Sequence, residues 1–284
     1  MIKQELICVF DCETVPDTQS LLRVLEKEVV DSCYESSDTS EEKVLNHKKL
    51  SYKAMEVFKE KNGSDFLPVC FHQVVSISAV MADKFGKFLR VNTIEGENEE
   101  QIITKFLKFI NSHQPRLISF NGRGFDLPML MVRAMRYNIS APAYFEVENR
   151  EFNKNKWENY RSRYDGRFHL DLLDHISEFR AVSGLKLDNL CCALNLPGKY
   201  EVEGSQVLEL FYDKKQDKID EYCQSDTLNT YWLFLKYELL RGNLTLEDYA
   251  SYLDAMSEYL LKERFGMSYT PIFTQFIKDE LKRV

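Results

Sequence analysis

The sequence predicts an α/β protein in which helices pack on the faces of a mixed sheet. Three observations carry that expectation. Residues 6–10, Leu-Ile-Cys-Val-Phe, form a continuous apolar run of the length and composition of a strand buried on both faces. Runs at 74–81 and 88–94 flank the turn sequence Asp83-Lys84-Phe85-Gly86, as in a hairpin. Two later strand-like runs, 117–121 and 168–170, are each followed by a helical pattern. Three sequential strands and then strands alternating with helices describe a mixed sheet covered by helices.

After the first strand, residues 17–66 form a long insertion. Leu21, Leu22, Leu25, Val29 and Val30 suggest a helix. Residues 31–42 are polar, acidic and rich in Ser and Thr, the composition of a mobile loop. A Lys-rich helical stretch follows at 44–61. Asn98 with Gln101 resembles a capping box opening a helix that carries Ile102, Ile103, Phe106, Leu107 and Ile110, and Pro115 ends that connection. Past the fourth strand, Leu127, Leu130, Met131 and Ala134 share a helical face, with Pro128 suited to the first turn. Ile219, Tyr222, Cys223, Asp226, Leu233 and Phe234 fall near helical spacing. Beyond Thr245, patterns at 246–265 and 272–281 describe a helical extension. The expected organisation is one domain over 1–245, with the insertion, and an extension over 246–284 packed on it.

The chain has 284 residues, a formal net charge of −8, 44% hydrophobic and 29% charged residues, which is ordinary for a soluble protein. Its acidity excludes a general nucleic-acid-coating protein, but not a nuclease, in which metal ions supply positive charge at the reaction centre. No apolar stretch has bilayer-spanning length and the opening Met1-Ile2-Lys3-Gln4-Glu5 is not the start of a signal peptide, so the expected location is cytoplasmic, with no membrane partner. Seven cysteines without Cys-x-x-Cys spacing and five scattered histidines leave zinc unexpected; Cys8 and Cys70 in apolar runs and Cys191 and Cys223 in helices are expected to be buried reduced thiols.

Three short strings place acid where a metal-dependent enzyme needs it. In Asp11-Cys12-Glu13 strand alternation puts both carboxylates on one side, where they repel unless protons or cations intervene; hard cations such as Mg²⁺ or Mn²⁺ take such oxygen ligands. By itself such a pair is more often an exposed acidic turn, here one leading into Pro16. The second string, Asn121-Gly122-Arg123-Gly124-Phe125-Asp126, is a turn with two glycines leading into a helix, and a lone Asp126 there would be a helix N-cap. In the third, Tyr222 and Asp226 lie one helical turn apart on one face, a pattern that a core-edge tyrosine beside a solvated aspartate would also give.

Taken together the strings closely resemble the DEDD superfamily of 3′–5′ exonucleases. Tyr222 four residues before Asp226, with Glu221 where the other main branch carries His, resembles the tyrosine branch. The string from Asn121 to Pro128 resembles the second motif of B-family DNA polymerase proofreading domains. Phe66-Leu67-Pro68, the segment from Phe71 to Ser78, Gly198-Lys199 and Gly204-Ser205-Gln206-Val207 resemble the stand-alone exonucleases related to them. The resemblance runs from about residue 7 to about residue 246. It implies a five-stranded RNase H-like sheet, two divalent cations, Mg²⁺ or Mn²⁺, and a nucleic acid with a free 3′ end, single-stranded DNA first and RNA second. It further implies that Asp11 bridges the cations, that Asp226 and Glu13 serve the nucleophile side, that Asp126 supports the leaving-group side, and that Tyr222 orients the attacking water. No protein partner is evident.

Thr14, Asn121, Gly122 and Phe125, within or beside these strings, are candidate nucleic-acid contacts. So are Trp157, Tyr160, Arg161 and Arg163, in a segment that interleaves basic and aromatic residues; cations can meet phosphates and rings can stack on unpaired bases, although a solvated loop pinned by its aromatics fits as well. Asp171 is a fifth acid, either a helix cap or a secondary electrostatic contributor. His72 and His169 are expected to be structural. Two other functions remain open on the sequence: an RNase H-type endonuclease, which would leave Tyr222 without a role, and a non-catalytic nucleic-acid- or partner-binding protein on the same fold.

Overall fold

The computed structural model describes residues 4–34, 39–199 and 204–284. Its centre is a five-stranded sheet in the order β3-β2-β1-β4-β5, formed by β1 (Leu6–Pro16), β2 (His72–Asp83), β3 (Phe88–Thr93), β4 (Arg116–Ser119) and β5 (His169–Asp171). The first three pair antiparallel, while β4 and β5 run parallel to β1. This is the mixed, RNase H-like arrangement. The hairpin turn closes through Asp83 N–H to Lys87 O, with Gly86 at φ +104°, a conformation glycine adopts without penalty.

The first strand is longer than the apolar run suggests. It continues to Pro16, so Asp11 and Glu13 lie within it. Its parallel pairing with β4 nevertheless spans only Ile7, Val9 and the residue between, whereas the antiparallel pairing with β2 persists to Pro16, with a register shift after Glu13. Beyond Val9 the strand therefore has a neighbour on one side only, and the open side becomes the floor of a cleft.

Alternation along β1 feeds two cores. Ile7 and Val9 join the core beneath α10 (Gln216–Leu240), α11 (Leu246–Glu263) and α12 (Tyr269–Glu280). Cys8, Phe10 and Cys12 face α4 (Glu99–His113) and α5 (Asp126–Arg136). The expected cap of α4 is present, Asn98 accepting from Gln101 N–H, but the Gln101 side chain reaches back to Glu97 N–H instead of Asn98. Among buried side chains Trp232, Tyr249 and Tyr269 stand out for size, and burial of each contributes roughly 1.5–3 kcal/mol. Trp232 Nε1 donates to Tyr249 Oη (2.8 Å), which donates to Glu280 (2.9 Å). Thus α11 and α12, beyond residue 245, share a core with α10.

The insertion contains α1 (Thr18–Leu21), α2 (Lys27–Cys33) and α3 (Ser40–Asn62). The loop expected at 31–42 is helical at both ends; residues 35–38 lie outside the described residues, as do 1–3 and 200–203. Thr39 and Glu42 form a capping box for α3. Short helices α6 (Pro142–Phe145), α7 (Leu172–Ile176), α8 (Leu187–Ala193) and α9 (Val207–Tyr212) complete the chain. Lys48 and Tyr52 of α3 both bond Glu209 of α9, and Ser51 bonds Tyr212, fixing the insertion beside the cleft. No helix among the described residues is long and apolar enough to cross a membrane.

Candidate functional site

All three strings meet at the open side of β1. Asp11 and Glu13 follow Ile7 and Val9 onto the face covered by α10, whose first turns present Tyr222, Cys223 and Asp226. Ligand atoms of Asp11, Glu13 and Cys223 lie within 4.8 Å of one another, close enough to share a metal ion. Cys223 Sγ is also 3.5 Å from Asp11 O. Asp126 arrives from β4: it is the first residue of α5, with Phe125 at the cap position, so it is not the N-cap that a lone aspartate suggests.

The turn that delivers Asp126 is held tightly. Asn121 takes φ +68°. A β-carbon on Gly122 would lie 2.3 Å from Ser119 Oγ and 2.6 Å from Ser119 Cβ, and 3.6 Å from an Asp126 carboxylate oxygen. Only glycine lets the backbone pass there. Asp171 caps α7 through Leu173 and Asp174 N–H, and the same carboxylate accepts from Asn121 N–H (3.0 Å) and Arg123 N–H (2.9 Å). It is therefore a cap that also braces the turn, and its charge raises the proton affinity of Asp126.

The electrostatics describe a site short of positive charge. Burial, followed by the charges of Asp126 and Asp226, raises Asp11 well above the usual carboxylate range. Burial and then Asp11, Asp226 and Asp126 do the same to Glu13. Burial lifts Asp126 to about 7, with Cys12 hydrogen bonds opposing the rise. Asp226 is lifted to about 6, again by burial, while Lys199 and a Tyr222 hydrogen bond act against it. Mutual repulsion in a dry site favours protons or bound cations. Tyr222 is only 7% exposed, packed among Val15, Val75, Val207, Leu208 and Ile219. Burial and then the neighbouring carboxylates push its hydroxyl far above its ordinary range, so it stays protonated and acts as a donor.

Sequence reasoning passed over Lys199 as a member of this site. Its charge opposes the proton affinities of Asp11, Glu13 and Asp226, and its Nζ lies 5.6 Å from the centre of the Tyr222 ring. An isolated lysine after a glycine carries no periodic signal, so only the fold exposes this proximity.

Other candidates divide. Thr14 Oγ1 contacts His72 Nδ1 (2.9 Å), and the Phe125 ring sits 4.9 Å from His72 and 5.0 Å from the exposed Phe66, placing an aromatic cluster beside the strand that carries the acids. Trp157 is 70% exposed, with Lys156 Nζ 4.9 Å from its ring. Tyr160, by contrast, is fully buried, its hydroxyl donating to Pro115 O; it has no face to offer a base. Arg161 lies over Phe145. Arg163 forks onto the buried Asp174 at 3.0 and 3.1 Å. Of the histidines, His169 bridges Ser119 and Arg123, and His72 bonds Leu67 O; both serve packing.

A mixed sheet of this order, with carboxylates from three elements gathered at its open edge, defines an RNase H-like protein with an acidic, metal-competent site. The chain belongs to the family described as "Predicted 3'-5' exonuclease related to the exonuclease domain of PolB", matched over residues 64–277. That span includes Asp126, Tyr222 and Asp226, begins after Asp11 and Glu13, and continues through α11 into α12, past the point near residue 246 where the motif resemblance stops. A DNA polymerase of Archaeoglobus fulgidus is 28% identical over 136 residues, covering 47% of this chain and 17% of that polymerase. A solved structure, the family B DNA polymerase of Pyrobaculum calidifontis, aligns at a TM-score of 0.47 and 14% identity, over 95% of this chain and 27% of the polymerase. The chain thus spans a minor part of either relative.

Proposed function

We propose that the chain is a metal-dependent 3′–5′ exonuclease that removes nucleoside 5′-monophosphates from the 3′ end of single-stranded or frayed nucleic acid. The observation that carries this reading is the convergence of Asp11, Glu13, Asp126 and Asp226 with Tyr222 hydrogen-bonded to Asp226. DNA is favoured over RNA because the curated relative is a DNA polymerase.

The donor set fits Mg²⁺ or Mn²⁺: hard oxygen ligands whose raised proton affinities a cation would reverse. The four carboxylates would hold two such ions, which when bound activate a water and stabilise the leaving 3′ oxygen. The protein's own part is orientation and exclusion of bulk water. Tyr222, protonated and anchored on Asp226, directs a water's lone pair towards the scissile phosphorus. Lys199, beside the same carboxylates, limits their net charge so that a phosphodiester can approach. Gly122 keeps the Asp126 side free of a methyl group.

A time course on 3′- and 5′-labelled oligonucleotides with Mg²⁺ or Mn²⁺ tests the reading, with Asp226→Ala as the control. Stepwise loss of mononucleotides from the 3′ end, abolished in the variant, is expected. Internal cleavage, 5′ degradation, or equal turnover by the variant at matched metal concentration would refute it.

A further inference from the structure

The loop after α7 holds three consecutive residues in left-handed backbone: Glu178 (φ +49°), Phe179 (φ +55°) and Arg180 (φ +77°). Non-glycine residues rarely adopt this conformation even singly. The loop is held in it from below, by Phe179 N–H to Asp174 O (2.6 Å), Val182 N–H to Ser177 O (3.1 Å) and Arg180 N–H to the buried Ser177 Oγ (3.0 Å). The result is to aim Arg180. Its Nε donates to Asp174 (2.7 Å), and its Nη2 donates to the side-chain oxygen of Asn121 (2.6 Å), the first residue of the turn that carries Asp126.

Asp174, almost fully buried, is met by three guanidiniums: Arg163 and Arg180 in direct ion pairs and Arg123 at 4.0 Å. With Asp171 beside Arg123, three guanidiniums meet two buried carboxylates; the exposed Glu178 of the same loop, whose charge acts on Tyr237, brings the count level, in a protein of net charge −8. Side chains of Arg163 and Arg180 remain 39% and 42% exposed. Among the described residues both donate through Nε and Nη2, and Arg123 Nε, 4.0 Å from Asp174, is buried without a hydrogen bond. Two partly exposed guanidiniums are thus fixed by a buried carboxylate, and Arg180 holds Asn121, the neighbour of Gly122, which packs beside Asp126.

We propose that Arg180, seated on Asp174 and Asn121 with Arg163 beside it, binds a non-scissile backbone phosphate of the nucleic-acid strand. The inference rests on the nucleic-acid reading of the site and names a contact for the retained strand. Planar guanidiniums suit phosphate oxygens. A guanidinium already fixed by a buried carboxylate loses little freedom on meeting its ligand. An enzyme removing one nucleotide at a time keeps all but the last phosphate outside its reaction centre, so a fixed cation at the rim of the turn serves that outer strand. Asn121 would then be positioned by Arg180, its carboxamide oxygen occupied and its NH₂ left for the substrate.

The test is equilibrium binding of 5′-fluorescein oligothymidylate and oligouridylate to the full chain in EDTA, read by anisotropy between about 50 and 200 mM KCl. Arg180→Gln should weaken both by about tenfold, the value of one charge-assisted hydrogen bond. It should also flatten the slope of log K against log salt by about 0.7, one phosphate's share for a single strand. Arg180→Lys should keep the slope, and the thermal melt of both variants should stay near wild type. Wild-type affinity and slope in Arg180→Gln overturn the proposal. So does weakening without a change of slope, which would make Arg180 only a support for Asn121, and so does loss confined to one sugar, or no measurable binding by the wild type. Because the assay contains no divalent cation, it is independent of cleavage: an Arg180 effect in a protein that degrades no oligonucleotide would retain the phosphate contact and refute the exonuclease reading.

Discussion

Replacing Asp126 with Asn should stabilise the metal-free protein while destroying its activity. The folded carboxyl is pushed up to about 7, chiefly by burial, against about 3.9 in an unfolded chain. Its folded pKa is raised, so the folded state binds the proton more tightly. The resulting stability is full below the unfolded value and is lost as pH rises through the folded one. At pH 7.5 burying this carboxyl thus opposes folding by about 4 kcal/mol, and at pH 5, where the folded group holds a proton that the unfolded one has lost, by about 1–2 kcal/mol. Asn is isosteric and can still accept from Cys12. Because Asp11 shares the repulsion, part of the relief is redistributed, and a net gain near 2 kcal/mol at pH 7.5 is expected, or about 4 °C in melting temperature for a chain of this size. Scanning fluorimetry in EDTA at the two pH values measures it. The gain should shrink at pH 5, and saturating Mg²⁺ should stabilise wild type more than the variant. A variant that melts at or below wild type at both pH values would refute the account of a carboxylate cluster strained by its own charge.

Tyr222→Phe removes one hydroxyl from a packed ring, so kcat should fall by roughly 10²–10⁴ with KM little changed; an effect confined to KM in steady-state kinetics would make the ring a substrate platform. Gly122→Ala forces a methyl to 2.3 Å from Ser119 Oγ, an overpacking worth about 1–3 kcal/mol; denaturant midpoints should fall and cleavage with them, and a variant of unchanged stability would show that the turn yields freely. Arg133→Met removes the buried guanidinium that joins Asp17 and Glu99, bonded at 2.6–2.7 Å; Asp17 keeps Arg136 but Glu99 loses its cation and keeps only Val74 N–H and the Tyr137 hydroxyl, so the change should cost about 3 kcal/mol, read by urea unfolding. A loss within error of zero would mean that water replaces the guanidinium there.

Local rules made much of this molecule legible. Apolar runs located the strands because a central strand must be apolar on both faces, and Asp11 with Glu13 could be put on one face by alternation alone. Of the four carboxylates only Asp126 sits where an element begins; Asp11 and Glu13 lie inside β1 and Asp226 inside α10, so they could be named only through the strings that contain them. What local rules could not resolve was destination. Tyr160 and Trp157 are three residues apart in a segment of one composition, yet one ring is buried against Lys154 and Phe168 and the other faces solvent. Arg163 looks free in sequence because its partner, Asp174, becomes adjacent only when β5 joins the sheet. The left-handed run at 178–180 has no glycine or asparagine to announce it; hydrogen bonds back to Asp174 and Ser177 hold it. The ordinary signature of αL backbone is residue type, and here that signal is absent.

The terminal helices carry a consequence for anyone who would shorten this protein. Ser268 N–H bonds Glu221, and Tyr269 Oη donates to Gln224 at 2.7 Å; the first acceptor directly precedes Tyr222 and the second lies between Tyr222 and Asp226. A minimal version ending near residue 245 would keep every acid and the whole sheet, yet remove the outer clamp on one wall of the cleft and uncover the Trp232 side of the core. What resembles a dispensable appendage braces the stretch of α10 on which Tyr222 and Asp226 sit.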